Sequence, residues 1–358
     1  MIHSIKINSG EYAMKIENTL LFCKKIFITC AAVTFALSFS LSTQAAKGGK
    51  GGGGGGGGPK SSTPSNIAAA GDSITMAFAA DCTGNVWLWD LACLLGGDQP
   101  EHSWFDGESS AVDSVHDRYK SLDRKIVANK DAAMSGAEMR GAGDQGASPN
   151  FAAQAADIVT QSPVPDHVEV LLGGNDICNR DCVDPANCSD PLFTNAQWRE
   201  AVQEGLDTLM NGLPTDSTVQ LNGMPRVHDL RQAGLQKQSG NSNINCESVW
   251  STYDICRIVT NGGNLNGESA AVRHAAVAAT QQAYNAILAE EAAAYNSNTN
   301  GRNPRGIEVV SEYVDEITPS GGTFQFNGSN IDGGDCFHPN VATQSVIADF
   351  AWSGNIDK

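Results

Sequence analysis

Short apolar runs alternate along the chain with longer stretches of helical period. Asn66-Ile67-Ala68-Ala69-Ala70 has strand length and is closed by Gly71. Lys125-Ile126-Val127-Ala128, His167 to Leu172, Thr218-Val219-Gln220-Leu221 and Ile307-Glu308-Val309-Val310 have the same character. Such runs, bounded by turn residues, predict buried strands. Between them, residues 151–161 carry a helical pattern that stops before Pro163 and Pro165. Residues 195–212 place Trp198, Val202, Leu206 and Leu209 on one stripe, and residues 268–295 form a long Ala-rich helix. A closing helix is expected from near Val341. Strands alternating with helices predict an α/β fold, a parallel sheet covered by helices on both faces. Ligands in such sheets bind beyond the carboxyl ends of the strands. The residues that carry chemistry should therefore stand just after strands.

The chain's beginning follows another pattern. Lys24 and Lys25 precede an apolar run from Ile26 through Phe39 to Leu41, and small residues follow in Ser42-Thr43-Gln44-Ala45-Ala46. Basic, apolar and small residues in that order predict an export signal over residues 1–46, with Met14 as an alternative start. The run is also near bilayer-spanning length, so an uncleaved anchor is the rival. Ser, Thr and Gln dilute its end and favour cleavage. Residues 47–65 are dominated by glycine, which has no side chain to bury and much backbone entropy to lose. They are expected to form a flexible linker, either a spacer or a tail without a role. The folded domain is expected over 66–358.

Composition narrows the partners. Lys and Arg number 23 against 40 Asp and Glu, a net charge of -17 in 358 residues. A chain this acidic repels phosphate backbones and anionic membranes, so nucleic acid is excluded as a partner. Removing residues 1–46 takes away four lysines and two glutamates and leaves the excess in place. With the signal cleaved, no stable membrane span is expected. Eight cysteines lie beyond the signal, an even number that predicts disulfides in an exported chain. Cys178, Cys182 and Cys188 could suggest zinc, but no histidine stands among them at ligand spacing. No metal is expected.

Hydrolytic residue types stand where the topology rule puts them. Ser73 follows the first strand, Ser135-Gly136 the second and Gly174-Asn175-Asp176 the third. Asp335 and His338 follow the last, after a long loop. A serine hydroxyl becomes a useful nucleophile when a base takes its proton, and His338 can do so. Asp335, three residues earlier on a turn, can orient that imidazole and stabilise its charged form. Oxyanion donors are available in the backbone N–H of Ser73, placed where a strand enters a helix, the N–H of Gly136 and the Asn175 amide. Taken singly, Ser73 reads as a helix cap, Asn175-Asp176 as a turn and His338 as an ordinary histidine. Their ordered coincidence argues for a site. Asp72 and Asp176 adjoin it and are read as turn residues, and His116-Asp117-Arg118 as a solvated helix face. Gly-x-Ser-x-Gly is absent, which argues against the α/β-hydrolase fold.

Gly71-Asp72-Ser73, Gly136, Gly174-Asn175-Asp176 and Asp335-Cys336-Phe337-His338-Pro339 match in order the four blocks of the GDSL, or SGNH, hydrolases. The chain resembles that family over about residues 66–350. The resemblance implies a three-layer α/β/α, flavodoxin-like fold with a central parallel sheet. It implies a serine ester hydrolase without cofactor, and the expected signal makes it secreted or periplasmic. Ser73 would be the nucleophile, Asp335 and His338 the rest of the triad, and Ser73, Gly136 and Asn175 the oxyanion donors. Ile74 replaces the family's leucine, and long inserts at 223–267 and 312–334 will shape the pocket. Gly-Gly-Asn-Asp-Ile-Cys and Asp-Cys-Phe-His-Pro-Asn are most similar to the phospholipase B branch, which implies lipid acyl esters. The substrate stays open between lipid and sugar esters. A carbohydrate deacetylase of the same fold is one alternative, and a non-catalytic carbohydrate-binding surface module another.

Convergence on Ser73 also suggests disulfides. Asn175 and His338 must both approach it, which draws Cys178 towards Cys336. The remaining pairs are then Cys182–Cys188, Cys246–Cys256 and Cys82–Cys93, out of the 105 pairings that eight cysteines allow.

Overall fold

The apolar runs at 66–71, 167–171 and 218–222 form strands with both faces covered, whereas the edge runs at 127–129 and 308–312, expected to be buried, are largely not. In a computed structural model, which describes residues 63–82, 97–141, 149–299, 301–312 and 324–354, β1 is Asn66–Gly71 and β2 is Val127–Asn129. β3 is His167–Leu171, β4 Thr218–Asn222 and β5 Glu308–Glu312. All pairings are parallel and the order is β2-β1-β3-β4-β5. This is the doubly wound, flavodoxin-like order, whose switch point lies between β1 and β3. The described residues fall within one unit, 61–358. The expected signal and nearly all of the linker lie outside the described residues.

Alternation along β1 divides the core. Ala68 and Ala70 face one side, with Val168, Val170, Val219 and Leu221. There they meet Phe151 from α2 (Phe151–Val159), Trp198 and Leu206 from α4 (Asn195–Gly212), and Tyr284 from α8 (Ala270–Ser297). Ile67 and Ala69 face the other side, with Tyr119 from α1 (Val115–Leu122) and Phe350 from α9 (Val341–Gly354). The result is a three-layer α/β/α sandwich. Buried Trp198 stacks on Tyr284 with ring centroids 4.2 Å apart. Side-chain caps start the helices: Ser114 with Asp117, and Thr194 with Gln197, form capping boxes. Asp117 is thus engaged in a cap, and Arg118 pairs with Asp113 and Asp349 of α9. The stretch read as a solvated face instead docks α1.

The insert between β4 and α8 is helical, a feature the sequence pattern did not announce. It holds α5 (Leu230–Gly240), α6 (Cys246–Tyr253) and α7 (Arg257–Thr260). Its cysteines correct two expected pairings. Cys178, at the end of α3 (Gly174–Cys178), bonds Cys256, and Cys336 bonds Cys246. The expected Cys178–Cys336 and Cys246–Cys256 bonds are absent. Convergence of Asn175 and His338 does not fix where their neighbours point. Cys336 has a left-handed backbone (φ 57°), and both cysteines engage the α6–α7 segment, at Cys246 where it starts and at Cys256 between its helices. Cys182 and Cys188 are bonded to each other. The expected Cys82–Cys93 bond involves residue 93, outside the described residues.

Peptide mapping without reduction should recover 178–256, 182–188 and 246–336. A 178–336 peptide would contradict the arrangement. Removing the Cys246–Cys336 pair, which closes a 90-residue separation, should cost about 2–4 kcal/mol of stability, read as a lower midpoint in denaturant.

Candidate active site

Three of the expected residues are in direct contact. His338 Nε2 lies 2.8 Å from Ser73 Oγ, and His338 Nδ1 hydrogen-bonds Asp335 Oδ2. Asp335 Oδ1 accepts the N–H groups of Phe337 (2.8 Å) and His338 (3.0 Å). One carboxylate thus fixes both the turn and the ring of the histidine. Phe78 and Phe337 flank the imidazole, with centroids 4.8 and 5.4 Å away.

Ser73 does not enter a regular helix, contrary to expectation. Residues 73–81 form successive turns, with Ala77 and Ala79 in the left-handed region. The Ala79 N–H donates to the Gly97 carbonyl and the Gln99 N–H to the Met76 carbonyl, so a neighbouring segment takes the bonds a helix would make internally. Within the turns, the Ile74 N–H donates to Asp72 Oδ1 at 2.9 Å. The Ser73 N–H has no acceptor among the described residues.

The end of β1 is held from two sides. The Gln154 carboxamide of α2 accepts from the Gly71 N–H (2.7 Å) and donates to its carbonyl (3.0 Å). The Met134 N–H donates to the same carbonyl and brings the loop after β2 alongside. In that loop Gly136 has φ 84°, a conformation that favours glycine, and its N–H has no acceptor among the described residues. The Asn175 side chain donates to the Ala137 carbonyl at 2.9 Å, which leaves its second amide hydrogen. Before it, Gly173 has φ 124°, and a Cβ there would sit 2.7 Å from Trp198. β3 can therefore turn into α3 at that point only with glycine.

Asp176 is fully buried and accepts the N–H groups of Met139 (2.6 Å) and Arg140 (3.0 Å). It ties the Gly136 loop to α3, a larger part than a local turn. Burial, with Glu138 nearby, pushes it up to about 8. Burial likewise raises Asp72 to about 6 against the pull of its Ile74 bond and of His338. At Asp335, burial opposes ionisation, but His338 and hydrogen bonds outweigh it and hold the carboxyl well below its usual range. For His338, burial disfavours the charged ring, yet Asp335 outweighs it, and the imidazole sits above its ordinary value.

Beside Ser73 and His338 lies a small pocket of about 30 Å³. Ile74, Pro225, Val227, Leu230, Phe326 and Phe337 supply its apolar walls. Pro225, Val227 and Leu230 come from the insert after β4. The sequence signal missed Gln154, whereas the inserts at 223–267 and 312–334 line the pocket as expected. Helical periodicity marks Gln154 as one position of α2, but nothing in it points to Gly71.

The arrangement can transfer a proton from Ser73 Oγ to His338, with Asp335 stabilising the imidazolium, and the Ser73 and Gly136 N–H groups are left without an acceptor among the described residues. The sequence profile of the GDSL-like lipase/acylhydrolase family matches residues 67–351. No curated protein matches the chain. Among solved structures, the inhibitor-bound form of an aryl esterase from M. smegmatis is similar at 12% identity and TM-score 0.42, over 80% of this chain and 97% of that one. A protein from Lactobacillus plantarum is similar at 16% identity and TM-score 0.35, over 81% and 96%. A candidate GDSL-like lipase from Bacteroides ovatus gives 12% identity and TM-score 0.32, over 81% and 96%.

Proposed function

We propose a catalytic assignment on one premise: the chain belongs to the GDSL-like lipase/acylhydrolase family and hydrolyses ester bonds. Ser73 is the nucleophile, His338 its base and Asp335 the residue that orients the base. The observation that carries this is the continuous contact from Ser73 Oγ through His338 to Asp335. His338 Nε2 takes the Ser73 proton as Oγ bonds the ester carbonyl carbon, and the carbonyl electrons move to oxygen. That oxyanion is met by the N–H groups of Ser73 and Gly136 and the second amide hydrogen of Asn175. Collapse expels the alcohol, which takes the proton from His338 and leaves an acyl-enzyme. Water repeats the sequence and frees the acid.

The apolar pocket supports a lipase or esterase that seats an acyl group there, and its size suits short chains. Burying one methylene is worth about 0.8 kcal/mol, or about fourfold in kcat/KM. Across p-nitrophenyl esters, kcat/KM should climb from acetate over the first few methylenes and then fall before hexadecanoate. A maximum at the longest chains would favour the phospholipase-like reading. Acetate alone, with activity on acetylated sugars, would favour a deacetylase. No hydrolysis of any ester would leave a non-catalytic module.

The chain is proposed to be exported, with residues 1–46 as signal, 47–65 as linker and 66–358 as the hydrolase domain. Disulfides support an oxidising compartment. No helix among the described residues is long and apolar enough to cross a membrane.

A further inference from the structure

A second aspartate stands behind the triad, three residues before Asp335 as Asp335 stands before His338. Asp332 is 1% exposed. Its Oδ1 accepts the N–H groups of Gly334 (2.6 Å) and Asp335 (2.9 Å), and its own N–H donates to the His338 carbonyl at 2.9 Å. Its Oδ2 is sealed from solvent and receives no hydrogen bond. The Asp335 N–H bonded to its Oδ1 sets its carboxyl beside that residue, whose charge disfavours its ionisation.

These contacts fit one protonation state. A neutral carboxyl has one carbonyl oxygen that only accepts and one hydroxyl that donates. Oδ1, with two N–H donors, is placed as the first, and Oδ2, with none, as the second. An ionised Asp332 would instead leave a buried oxygen with no donor beside another buried carboxylate. Each of those conditions is costly, and two carboxylates at close quarters do not both ionise. Among the described residues the cation beside it, Lys237, donates to the Gly328 and Ile331 carbonyls.

We propose that Asp332 is a positioning residue that stays protonated at neutral pH and donates its Oδ2 hydrogen to the Asp335 carboxylate. This rests on the triad assignment above. The bond braces the 332–338 turn and steadies the Asp335 anion when His338 becomes charged. It does so without adding a second negative charge. Burial and the Asp335 charge both hold the Asp332 proton in place. The charged or titratable groups around this turn are Asp335, His338 and Lys237, with Asp81 in the adjoining cavity and Asp72 and Asp98 near the imidazole.

Infrared difference spectra of the full chain at pH 7 test the proton directly. Using Ser73→Ala as background keeps the outcome independent of catalysis. The spectrum of Ser73→Ala minus that of Ser73→Ala with Asp332→Asn should contain a protonated carboxyl stretch. Finding only a carboxylate band there would overturn the proposal. Kinetics test the positioning. Asp332→Asn keeps an acceptor and a donor, so kcat should stay within about threefold, with the acid limb unmoved to within about 0.3 pH unit. Asp332→Ala should lower kcat by about ten- to a hundredfold with KM little changed. Equal losses in both variants would mean a purely structural role. An acid limb lowered by about half a unit or more in Asp332→Asn would mean that an ionised Asp332 had been present.

Discussion

Ser73→Ala lowers kcat/KM for ester hydrolysis on the order of 10⁴-fold or more, with the fold and ester binding retained. The substitution removes one oxygen whose described side-chain contact is His338 Nε2. The alanine methyl fits where a serine Cβ already stood, so the core is undisturbed. What remains is binding and the oxyanion donors, including the N–H of residue 73 itself, which alanine keeps. Steady-state rates beside a thermal melt separate loss of chemistry from loss of structure. Unchanged rates would remove Ser73 from its role.

Asp335→Asn is expected to lower kcat by about 10⁴-fold. The amide cannot stabilise an imidazolium. If its NH₂ faces Nδ1, it selects the tautomer that carries hydrogen on Nε2, and that nitrogen can no longer take the Ser73 proton. The pH profile carries a second signature. As the proposed base His338 works in its neutral form, and Asp335 holds its pKa above the ordinary imidazole value. In the wild type, activity is therefore lost as pH falls through that raised value. Without the Asp335 charge, burial is less opposed, and the acid limb of the residual activity moves to lower pH. A limb that stayed in place would mean that Asp335 does not set the base.

The strands, the three long helices and the three-layer architecture were legible because each rests on local periodicity. Asn195–Gly212 matched its expected range because the Trp198, Val202, Leu206 and Leu209 stripe is buried. The blocks proposed as functional were legible as polar motifs, Ser73 and Asn175 just after β1 and β3, Gly136 and the Asp335–His338 turn after longer loops. The helices of the 230–260 insert were not. α5 and α6 pack around Gly234 and Trp250, a contact between segments that no single period encodes. The disulfides failed for a related reason. Proximity of Asn175 and His338 was inferred, but the left-handed turn at Cys336 that redirects its side chain leaves no mark in the sequence. Nor does the sequence reveal that Gln154 grips Gly71, or that Asp332 lies against Asp335, since both depend on tertiary burial.

Labelling with a fluorophosphonate tests the central claim most directly, since the reagent bonds a serine oxygen that has an active base beside it. Intact mass and peptide mapping should find one adduct, on Ser73, absent from Ser73→Ala and strongly slowed in His338→Ala. An active preparation that takes the label on another residue, or labels equally fast without His338, would contradict the account.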